Sequence, residues 1–405
     1  MSEQNSLPKY RQVKKLGEVC TYSKGKKPAL LEKARTNKCT VPYINIKAFE
    51  KGIFDEYSDG HKCNLCNDDD LLMVWDGARC GLIGKAKNGA VGSTLMKILP
   101  KENIHKEYLY HFINSKFHTL NTKPKGVGIP HIEPNLLWNF ELVVPPLSEQ
   151  QAIVSKIEEL LSELENGKQQ LLTAQQQLKV YRQSLLKWAF EGKLTHTDVK
   201  DGDLPEGWKW VKLKDIASDI SDGDHQAPPK SEEGIPFITI SNVNKVTSRI
   251  DFSDTFKVNL DYYHKLKPNR RPQKGDVLYT VTGSFGIPIL IDFDKNFCFQ
   301  RHIGLVRPLE TINQKWVFYM LQSPQLFNQA KETATGTAQK TVALSSLRGF
   351  TIPNCSMNEQ QQIVSELESK LTVCDKIEET ISQGLQQAES LRQSVLKMAF
   401  EGRLV

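Results

Sequence analysis

The chain lacks any long apolar run. No stretch of its 405 residues approaches the roughly 20 apolar residues that cross a membrane. The opening Met-Ser-Glu-Gln-Asn is also unlike a signal peptide, which would begin with basic residues followed by an apolar segment. A soluble, cytoplasmic protein is therefore predicted.

Motifs for catalysis are also absent. Gly81-Leu-Ile-Gly84 has no following Gly-Lys-Ser/Thr of a nucleotide-binding loop. The glycine-rich cofactor loop and the Asn/Asp-Pro-Pro-Tyr/Phe pocket of a DNA adenine methyltransferase are missing as well. The run Asp68-Asp-Asp70 is interpreted as a solvated turn and not as a nuclease centre. We expect no catalytic residues and no cofactor, so any chemistry must belong to partner proteins.

Cysteine is sparse and irregularly spaced. The eight cysteines do not form a disulfide framework, and reduced thiols are expected. The strongest alternative is a structural zinc site built from Cys39, Cys63, Cys66 and Cys80, but only one Cys-x-x-Cys knuckle exists and the other two thiols stand alone. A redox dithiol at the knuckle is a further alternative. We predict no metal.

What the sequence does have is a duplication. Residues Glu149–Leu194 and Glu359–Leu404 align without a gap, and 20 of the 46 positions are identical. Each copy ends in a glycine, Gly192 or Gly402, placed where a helix commonly ends in a left-handed cap. A chain that carries the same segment twice can build an internal two-fold axis.

Both copies have the apolar spacing of a coiled coil. Apolar residues recur at alternating intervals of four and three, which is the seam of a heptad repeat. The second seam is interrupted by Lys370, and each seam contains one glycine, Gly167 or Gly384. A narrow seam needs a partner helix, so two long helices packed on each other are predicted. The seam residues are Ile153, Ile157, Leu160, Leu164, Gly167, Leu171, Ala174, Leu178, Tyr181, Leu185 and Trp188, and in the second copy Ile363, Leu367, Lys370, Cys374, Ile377, Ile381, Gly384, Ala388, Leu391, Val395 and Met398.

The segments before the helices are duplicated more faintly. Landmarks recur in the same order, with loops of different length between them, so one frame with two different surfaces is predicted. We call residues 1–147 domain one and residues 201–356 domain two; residues 148–200 are the first helix with a linker, and residues 357–405 are the second helix. Domain one has a net charge of +7, domain two of +2, and the helical segments of 0 and −3. This distribution suits domains that contact a polyanion and helices that contact protein.

The sequence resembles a known family, the specificity subunits of type I restriction–modification systems. The shared phrases are Pro145-Pro-Leu-Ser-Glu-Gln-Gln151, the Arg-Gln-Ser-x-Leu-Lys-x-Ala-Phe-Glu-Gly closing phrase, and in domain two Asp222-Gly-Asp-His-Gln-Ala-Pro228, Gly275-Asp-Val-Leu278 and Thr335-Gly-Thr-Ala-Gln-Lys340. The resemblance covers essentially the whole chain. The second helix departs from it at Cys355-Ser-Met-Asn, where Pro-Pro-Leu-Ser would be usual.

The resemblance implies an α+β fold and a division of labour. Two target recognition domains, each followed by a long helix, would each read one half of a split duplex DNA site. The two helices would pair as an antiparallel coiled coil with pseudo-two-fold symmetry, set the spacing between the halves, and dock two DNA methyltransferase subunits. Restriction subunits would join through that complex. The alternative is a non-catalytic adaptor that binds proteins and not specific DNA.

Three pairs of loops at matching places are the candidates for DNA contact: residues 22–28 with 221–226, residues 76–79 with 282–285, and residues 123–131 with 335–340. They combine glycine, which lets a backbone approach a phosphate, with cations and amides. The individual candidates are Lys24, Lys26, Lys27, Arg79, Lys123, Lys125 and His131 in domain one, and His225, Gln226, Ser284, Arg301, Thr337, Gln339 and Lys340 in domain two. Phe190 and Phe400, next to the helix-ending glycines, are the candidate anchors for the methyltransferase subunits, unless each merely packs under its own helix end.

Overall fold

The computed structural model describes residues 12–123, 129–196, 198–200, 202–225 and 228–404. The chain divides into two compact units, and neither is a continuous piece of sequence. The first unit runs to Leu171 and also takes the residues from Gln383 onward, while the second runs from Leu172 to Ser382. Each unit therefore contains one globular domain together with half of each long helix. Within the described ranges, no helix is both long and apolar enough to cross a membrane.

Domain one is built mainly of short strands. They are β1 (Gln12–Lys15), β2 (Cys20–Lys24), β3 (Leu31–Glu32), β4 (Val41–Ile44), β5 (Tyr57–Ser58), β6 (Leu65–Cys66), β7 (Leu71–Val74), β8 (Ile83–Lys85), β9 (Gly89–Val91), β10 (Leu95–Pro100) and β11 (Glu141–Val144). The helices are α1 (Leu16–Val19), α2 (Ile46–Lys51), α3 (Lys106–Ser115), α4 (Phe117–Thr122) and α5 (Pro134–Trp138).

The sheet that positions the loops of domain one has the order β2-β10-β7-β8, with every neighbouring pair antiparallel. Strand β7 is Leu71–Val74, and all four of its side chains are buried, as expected for a strand covered on both faces. A second sheet, β3-β5-β4-β9-β6, packs a smaller apolar cluster around Ile44 and Val91. Strands β1 and β11 pair where the chain enters and leaves the domain.

The long helix α6 (Leu147–Phe190) follows, and after it comes domain two. Its strands are β12 (Lys209–Lys212), β13 (Ala217–Asp222), β14 (Ile235–Ile238), β15 (Val243–Asn244), β16 (Arg249–Ile250), β17 (Phe256–Val258), β18 (Val277–Thr280), β19 (Pro288–Leu290), β20 (Cys298–Phe299), β21 (Ile303–Pro308) and β22 (Thr351–Asn354). Its helices are α7 (Leu260–Lys265), α8 (Gln314–Gln322), α9 (Pro324–Thr333) and α10 (Leu344–Arg348), and the second long helix is α11 (Met357–Phe400). Three single 3-10 turns lie at Leu213–Asp215, Ile240–Asn242 and Pro268–Arg270.

Domain two repeats the frame of domain one. Its four-stranded sheet has the order β13-β21-β18-β19, again antiparallel throughout. Strands β12 and β22 pair as β1 and β11 do. One backbone contact at this junction is also repeated, since Leu16 N donates to Phe140 O at 2.8 Å and Leu213 N donates to Phe350 O at 2.9 Å. The predicted duplication of the domains is confirmed.

The two long helices have the same length and end alike. Each contains 44 residues, and their bounds differ by the 210 residues that separate the sequence copies. Gly192 and Gly402 adopt left-handed conformations, with φ of 76° and 73°. Lys193 N donates to Trp188 O at 2.9 Å and Arg403 N to Met398 O at 3.0 Å, the bond that closes a Schellman cap. The predicted glycine caps are confirmed.

A buried glutamine attaches each helix start to its own domain. Gln150 is fully buried, and its amide accepts from His105 N at 2.8 Å while donating to Pro145 O at 2.8 Å. Gln360 does the same in domain two, accepting from Asn313 N at 2.9 Å and donating to Cys355 O at 3.0 Å. The second helix therefore begins as the first does, although its preceding sequence departs from the family phrase.

In the first unit the two helices run antiparallel. Ile153 and Ile157 near the start of α6 share one apolar core with Leu396 and Ala399 near the end of α11. Further along, a Cβ on Gly384 would lie 3.1 Å from Leu171 Cδ1, so the missing side chain permits close approach of the helices there. A Cβ on Gly167 would meet none of the described residues within 4 Å, so packing does not explain this glycine.

In the second unit ion pairs join the two helices. Arg182 of α6 pairs with Asp375 at 2.7 Å and with Glu378 at 3.0 Å, both on α11. Lys370, which interrupts the predicted seam, is half-buried and pairs with Glu366 of its own helix at 3.0 Å. The antiparallel pairing that the resemblance implied is confirmed within each unit.

The predicted heptad seam is buried or half-buried at most of its positions, and four of its residues are exposed. Tyr181 and Leu391 occupy equivalent positions and are exposed by 42% and 44%. A straight helix drifts about 20° per heptad from a strict seven-residue repeat, or about 80° over the four heptads from Ile153 to Tyr181. Trp188 and Ile377, also placed on the seam, are exposed as well. After Leu178 the buried residues of α6 are Leu185, which is on the predicted seam, and Leu186, Ala189 and Phe190, which are not.

Candidate nucleic-acid interface

Sheet topology brings two of the predicted loops together in each domain. Strands β2 and β7 both pair antiparallel with β10, so they run parallel to each other and their ends lie at one edge of the sheet. Strands β13 and β18 flank β21 in the same way. The loop after β2 and the loop after β7 therefore emerge side by side, as do their counterparts in domain two.

The third loop of domain one joins this edge through its backbone. Gly77 N, just after β7, donates to Pro130 O at 2.8 Å, and Asp76 forms an antiparallel bridge with His131. Across the edge, Lys24 Nζ at the end of β2 lies 2.9 Å from Asp76 Oδ2. The three loops predicted from the sequence are thus in contact, and Asp76 connects them. We call this surface the loop edge of domain one.

Domain two has the same loop edge with different side chains. Gly283 N donates to Lys340 O at 2.9 Å, and Thr282 forms an antiparallel bridge with Thr341. The loop that carries Lys340 is a short hairpin closed by Thr335 and Thr341, which exchange backbone bonds of 2.9 and 2.8 Å. A backbone frame common to both domains therefore sets the position of the loops, whatever their side chains.

Acidic groups replace cations at the edge of domain two. Asp222 ends β13 where Lys24 ends β2, and it pairs with His225 at 2.8 Å and with Arg270 at 3.2 Å. Arg270 also approaches Asp224 at 4.0 Å, and the hydroxyl of Tyr262 donates to Asp224. Burial, reinforced by the adjacent carboxylate of Asp224, raises the pKa of Tyr262 well above its ordinary value, so this hydroxyl remains a donor.

Candidates from three loops of domain two line one cleft of about 370 Å³. His225 comes from the loop after β13, Arg301 from the turn before β21, and Gln339 from the hairpin. Burial, reinforced by the charge of Arg301, lowers the pKa of His302, so its ring is neutral at pH 7 and can act only through hydrogen bonds. The remaining lining residues are Asp222, Val281, Thr282, Thr341, Val342, Ala343 and Leu344.

The other candidates are placed less uniformly. Lys26, Lys27 and Lys123 are exposed, and His131 is half-buried beside Asp76. Arg79 pairs with Glu50 of α2 at 3.0 Å. Of the domain-two candidates outside the cleft, Thr337 and Lys340 are exposed and Ser284 is half-buried, its carbonyl accepting from Thr280 Oγ1 at 2.8 Å. Lys125 and Gln226 lie outside the described residues.

The structure adds residues that sequence reasoning missed. Tyr22 stacks on Trp138 with ring centroids 4.0 Å apart and is half exposed next to the lysines that follow β2. Asp76 and Arg270 organise the two loop edges through ion pairs. A signal was available for Asp76, which follows a buried strand and precedes a glycine at the place where domain two has Thr282-Gly283.

The four candidate zinc ligands of domain one, Cys39, Cys63, Cys66 and Cys80, do not gather around a common centre. Cys66 Sγ donates to the carbonyls of Lys87 and Gly89, and burial raises its pKa to about 11. Cys63 Sγ lies 4.0 Å from Ser58 Oγ. Across the ranges given above, no three His, Cys, Asp or Glu side chains are grouped so that they could hold a metal ion.

The two helix-end phenylalanines are not free anchors, which corrects the prediction made for them. Phe190 is 3% exposed and packs edge-on against Trp316 of α8, with centroids 4.7 Å apart. Phe400 packs against Tyr108 and Phe112 of α3 at 5.2 and 5.3 Å. Both rings fill the chain's own cores, the simpler interpretation that the sequence left open.

Comparisons with known proteins agree with these features. The family model of the type I restriction modification DNA specificity domain matches residues 8–174 and again 205–387. The MjaVIII specificity subunit of Methanocaldococcus jannaschii is 26% identical over 98% of this chain and 94% of its own length. The EcoBI specificity subunit of Escherichia coli is 26% identical over 90% of this chain and 80% of its own.

Solved structures share the fold. A chain from a study of the assembly and conformational transition of a type I restriction–modification system matches with a TM-score of 0.73 and 22% identity, over 98% of this chain and 100% of that one. The HsdS subunit of Thermoanaerobacter tengcongensis matches with a TM-score of 0.62 and 21% identity, covering 99% of both chains.

Proposed function

This chain belongs to the family of type I restriction–modification DNA specificity subunits, and we propose that each of its domains reads one half of a bipartite duplex site. The observation that carries the proposal is the loop edge, built twice on one backbone frame with different side chains. A specificity subunit is not itself an enzyme, so methyl transfer and cleavage belong to the subunits that assemble with it. Nothing in the comparisons supports the alternative of a protein-binding adaptor. A chain that binds DNA in this way is proposed to act in the cytoplasm.

The two edges suit different parts of DNA recognition. Exposed Lys26 and Lys27 follow β2 in domain one, where contact with phosphates would fix the position of the duplex. In domain two the cleft offers Arg301, His225 and Gln339, whose groups match the donors and acceptors on base edges. Arg301 makes no ion pair within the described residues, so its guanidinium is available for a guanine or a phosphate.

The helices are proposed to set the distance between the half-sites and to dock two methyltransferase subunits. A helix of 44 residues is about 66 Å long, comparable with roughly two turns of duplex DNA at about 3.4 Å per base pair. Since Phe190 and Phe400 are used internally, the docking surface is reassigned to exposed apolar side chains of the helices. Tyr181 and Leu391 are the foremost of these because they are equivalent in the two copies and more than two-fifths exposed.

Exchange of one domain tests the reading of half-sites. Residues 1–147 are replaced by the equivalent domain of a relative, and methylated adenines are mapped in DNA from cells that also carry the methyltransferase subunits. One half of the methylated motif should change while the other half and the spacing persist. A change in both halves, or in neither, in an active complex would overturn the proposal.

Insertion of a heptad tests the spacing role. One heptad is inserted after Leu171 and another after the equivalent Ile381, which preserves the seam and lengthens each helix by about 10 Å. Both half-sites should persist while the number of unread base pairs between them rises by about three, at about 3.4 Å per pair. An active complex with an unchanged spacer would show that the helices do not measure distance.

The docking surface has its own test. The Tyr181→Ser, Leu391→Ser double variant should remain folded but lose both methyltransferase subunits in size-exclusion light scattering, and each single variant should lose one. Val246→Ser, at an exposed hairpin tip of domain two, is the matched control. Retention of two subunits by the folded double variant would place the interface elsewhere.

A further inference from the structure

Backbone hydrogen bonds identify one pair of equivalent positions, one in each loop edge. The side chains at these two positions differ in chemistry. Pro130 O accepts from Gly77 N in domain one, and Lys340 O accepts from Gly283 N in domain two. Two residues further on, Ile132 N donates to Trp75 O at 3.0 Å and Val342 N to Val281 O at 2.8 Å. These paired bonds align Ile129 with Gln339. Each of the two directly precedes the residue whose carbonyl accepts the hydrogen bond from the loop glycine.

Both side chains project from a firmly held backbone. Ile129 is 70% exposed, and the proline that follows it restricts its backbone. Gln339 is exposed but lies over Gly283, where a Cβ would come within 3.1 Å of Nε2 and 3.8 Å of Cδ. Its amide forms no hydrogen bond within the part of the chain that the structure describes, so both its donor and its acceptor are available.

We propose that residues 129 and 339 are equivalent base-reading positions, each contacting one base pair of its half-site in the major groove. This inference rests on the proposed function and specifies how its two edges differ. Gln339 recognises adenine, because one side-chain amide can accept from N6 and donate to N7 at the same time. Ile129 has no polar atom to offer and recognises the 5-methyl group of thymine by apolar contact.

The neighbouring residues are suited to other tasks. Lysines such as Lys26 and Lys27 contact phosphates, which carry no sequence information directly. Arg79 is engaged by Glu50, and His131 lies half-buried beside Asp76. Residues 129 and 339 combine an exposed side chain with a fixed backbone, which is what discrimination between bases requires.

The test is a pair of reciprocal substitutions, Ile129→Gln and Gln339→Ile, in the full-length chain assembled with its methyltransferase subunits. Binding is measured by competition against duplexes that vary one base pair at a time in each half-site, at one fixed salt concentration. Gln339→Ile should reduce the preference for adenine at one position of the domain-two half by about 5- to 150-fold. Ile129→Gln should reduce a thymine preference of about fourfold at one position of the domain-one half.

A third variant sharpens the assignment. Gln339→Glu keeps the shape but replaces the amide donor by an acceptor, so the preferred base at that position should change from adenine to cytosine, whose N4 amino group donates. Val246→Gln, on the exposed turn between β15 and β16, is the control and should leave every preference unchanged.

The outcomes separate this inference from the function on which it rests. If the unsubstituted complex prefers no duplex over random DNA, the proposed function fails. If it has a bipartite preference that the substitutions leave intact, or if they weaken binding to all duplexes by one common factor, positions 129 and 339 do not read bases and the inference is overturned while the proposed function stands.

Discussion

The two domains have the same backbone frame but opposite electrostatics at the edge where their loops meet. In domain one, Lys24 reaches across the edge to Asp76, and further lysines follow it. In domain two, Asp222 and Asp224 take that place and are partly neutralised by Arg270. The loop contacts that persist are backbone bonds from Gly77 and Gly283, which do not depend on side-chain identity.

This difference shows how one fold can hold two unrelated binding surfaces. Because main-chain bonds fix the loops, side chains at the edge can change without loss of the frame. Domain two also has the smaller net charge, and its edge carries carboxylates paired with Arg270 at the place where domain one has lysines. The following predictions test how far the equivalence of the domains extends, beginning with the largest effect.

The phenylalanines at the ends of α6 and α11 should stabilise their respective units by different amounts. Phe190→Ala should lower the free energy of unfolding of the second unit by about 4 kcal/mol, because it empties a buried site against Trp316. Phe400→Ala should cost the first unit about 2 kcal/mol, since that ring is only partly buried. Chemical denaturation followed by tryptophan fluorescence measures both, with Trp188→Ala, at an exposed site, as the control. Equal costs would mean that the two helix ends pack equivalently.

The glycines after β2 and β13 should be equally intolerant of a side chain. A Cβ at Gly25 would lie 2.1 Å from Gly92 O, and one at Gly223 would lie 2.0 Å from Phe299 O. Gly25→Ala and Gly223→Ala should each cost about 1–3 kcal/mol of stability through overpacking. Gly167→Ala, at a helical site with open space around it, should instead stabilise by about 1 kcal/mol. Tolerance at one of the two sites in thermal melts would show that the frames diverge there.

Loss of Arg270 should lower the stability of domain two by more than loss of Lys24 lowers the stability of domain one. Arg270→Met leaves Asp222 and Asp224 without their cation and should cost about 1 kcal/mol of stability, a modest figure because the group is nearly one-third exposed. Binding of the domain-two half-site should weaken as well, because uncompensated carboxylates repel phosphates. Lys24→Met, the matched change in domain one, removes a more exposed pair and should cost less than about 0.5 kcal/mol. A larger cost for Lys24→Met would reverse the comparison.

The smallest effect on stability is expected from the exposed lysines of domain one. The Lys26→Gln, Lys27→Gln double variant should unfold within about 0.5 kcal/mol of the unsubstituted chain. If both lysines contact phosphates, the slope of log K against log salt for DNA binding should fall by about 2, without a change of motif. Fluorescence anisotropy over a salt series measures this slope. An unchanged slope would remove these lysines from the interface.

Much of the architecture could be predicted from the sequence. The duplication located both helices, and the glycines of the closing phrase identified their last turns. The loop pairs were also found, because strands ending in glycine-containing turns recur in the same order in both domains. These features are encoded locally and repeated, so each copy supports the interpretation of the other.

Other features depended on tertiary packing that periodicity cannot specify. A heptad count does not show where a helix leaves its partner and packs on a domain, which is why Tyr181 and Leu391 were placed on the seam and the phenylalanines on the surface. Gln150 and Gln360 were conspicuous in sequence, but their role depends on carbonyl and amide groups contributed by distant loops. Among the DNA-contact candidates, Arg79 forms an ion pair with Glu50, whereas Arg301 forms none within the described residues. Only the structure reveals this difference.

The division of each helix between two units has a consequence for synthesis on the ribosome. The core of the first unit includes Leu396 and Ala399 from the last residues of the chain. Domain one emerges first, yet roughly 250 further residues must be translated before its core can close, which takes about 10 to 50 s at about 5–20 residues per second. During that interval the apolar faces of α3 and of the first turns of α6 lack their partner. The nascent chain therefore exposes apolar surface of the kind that chaperones bind.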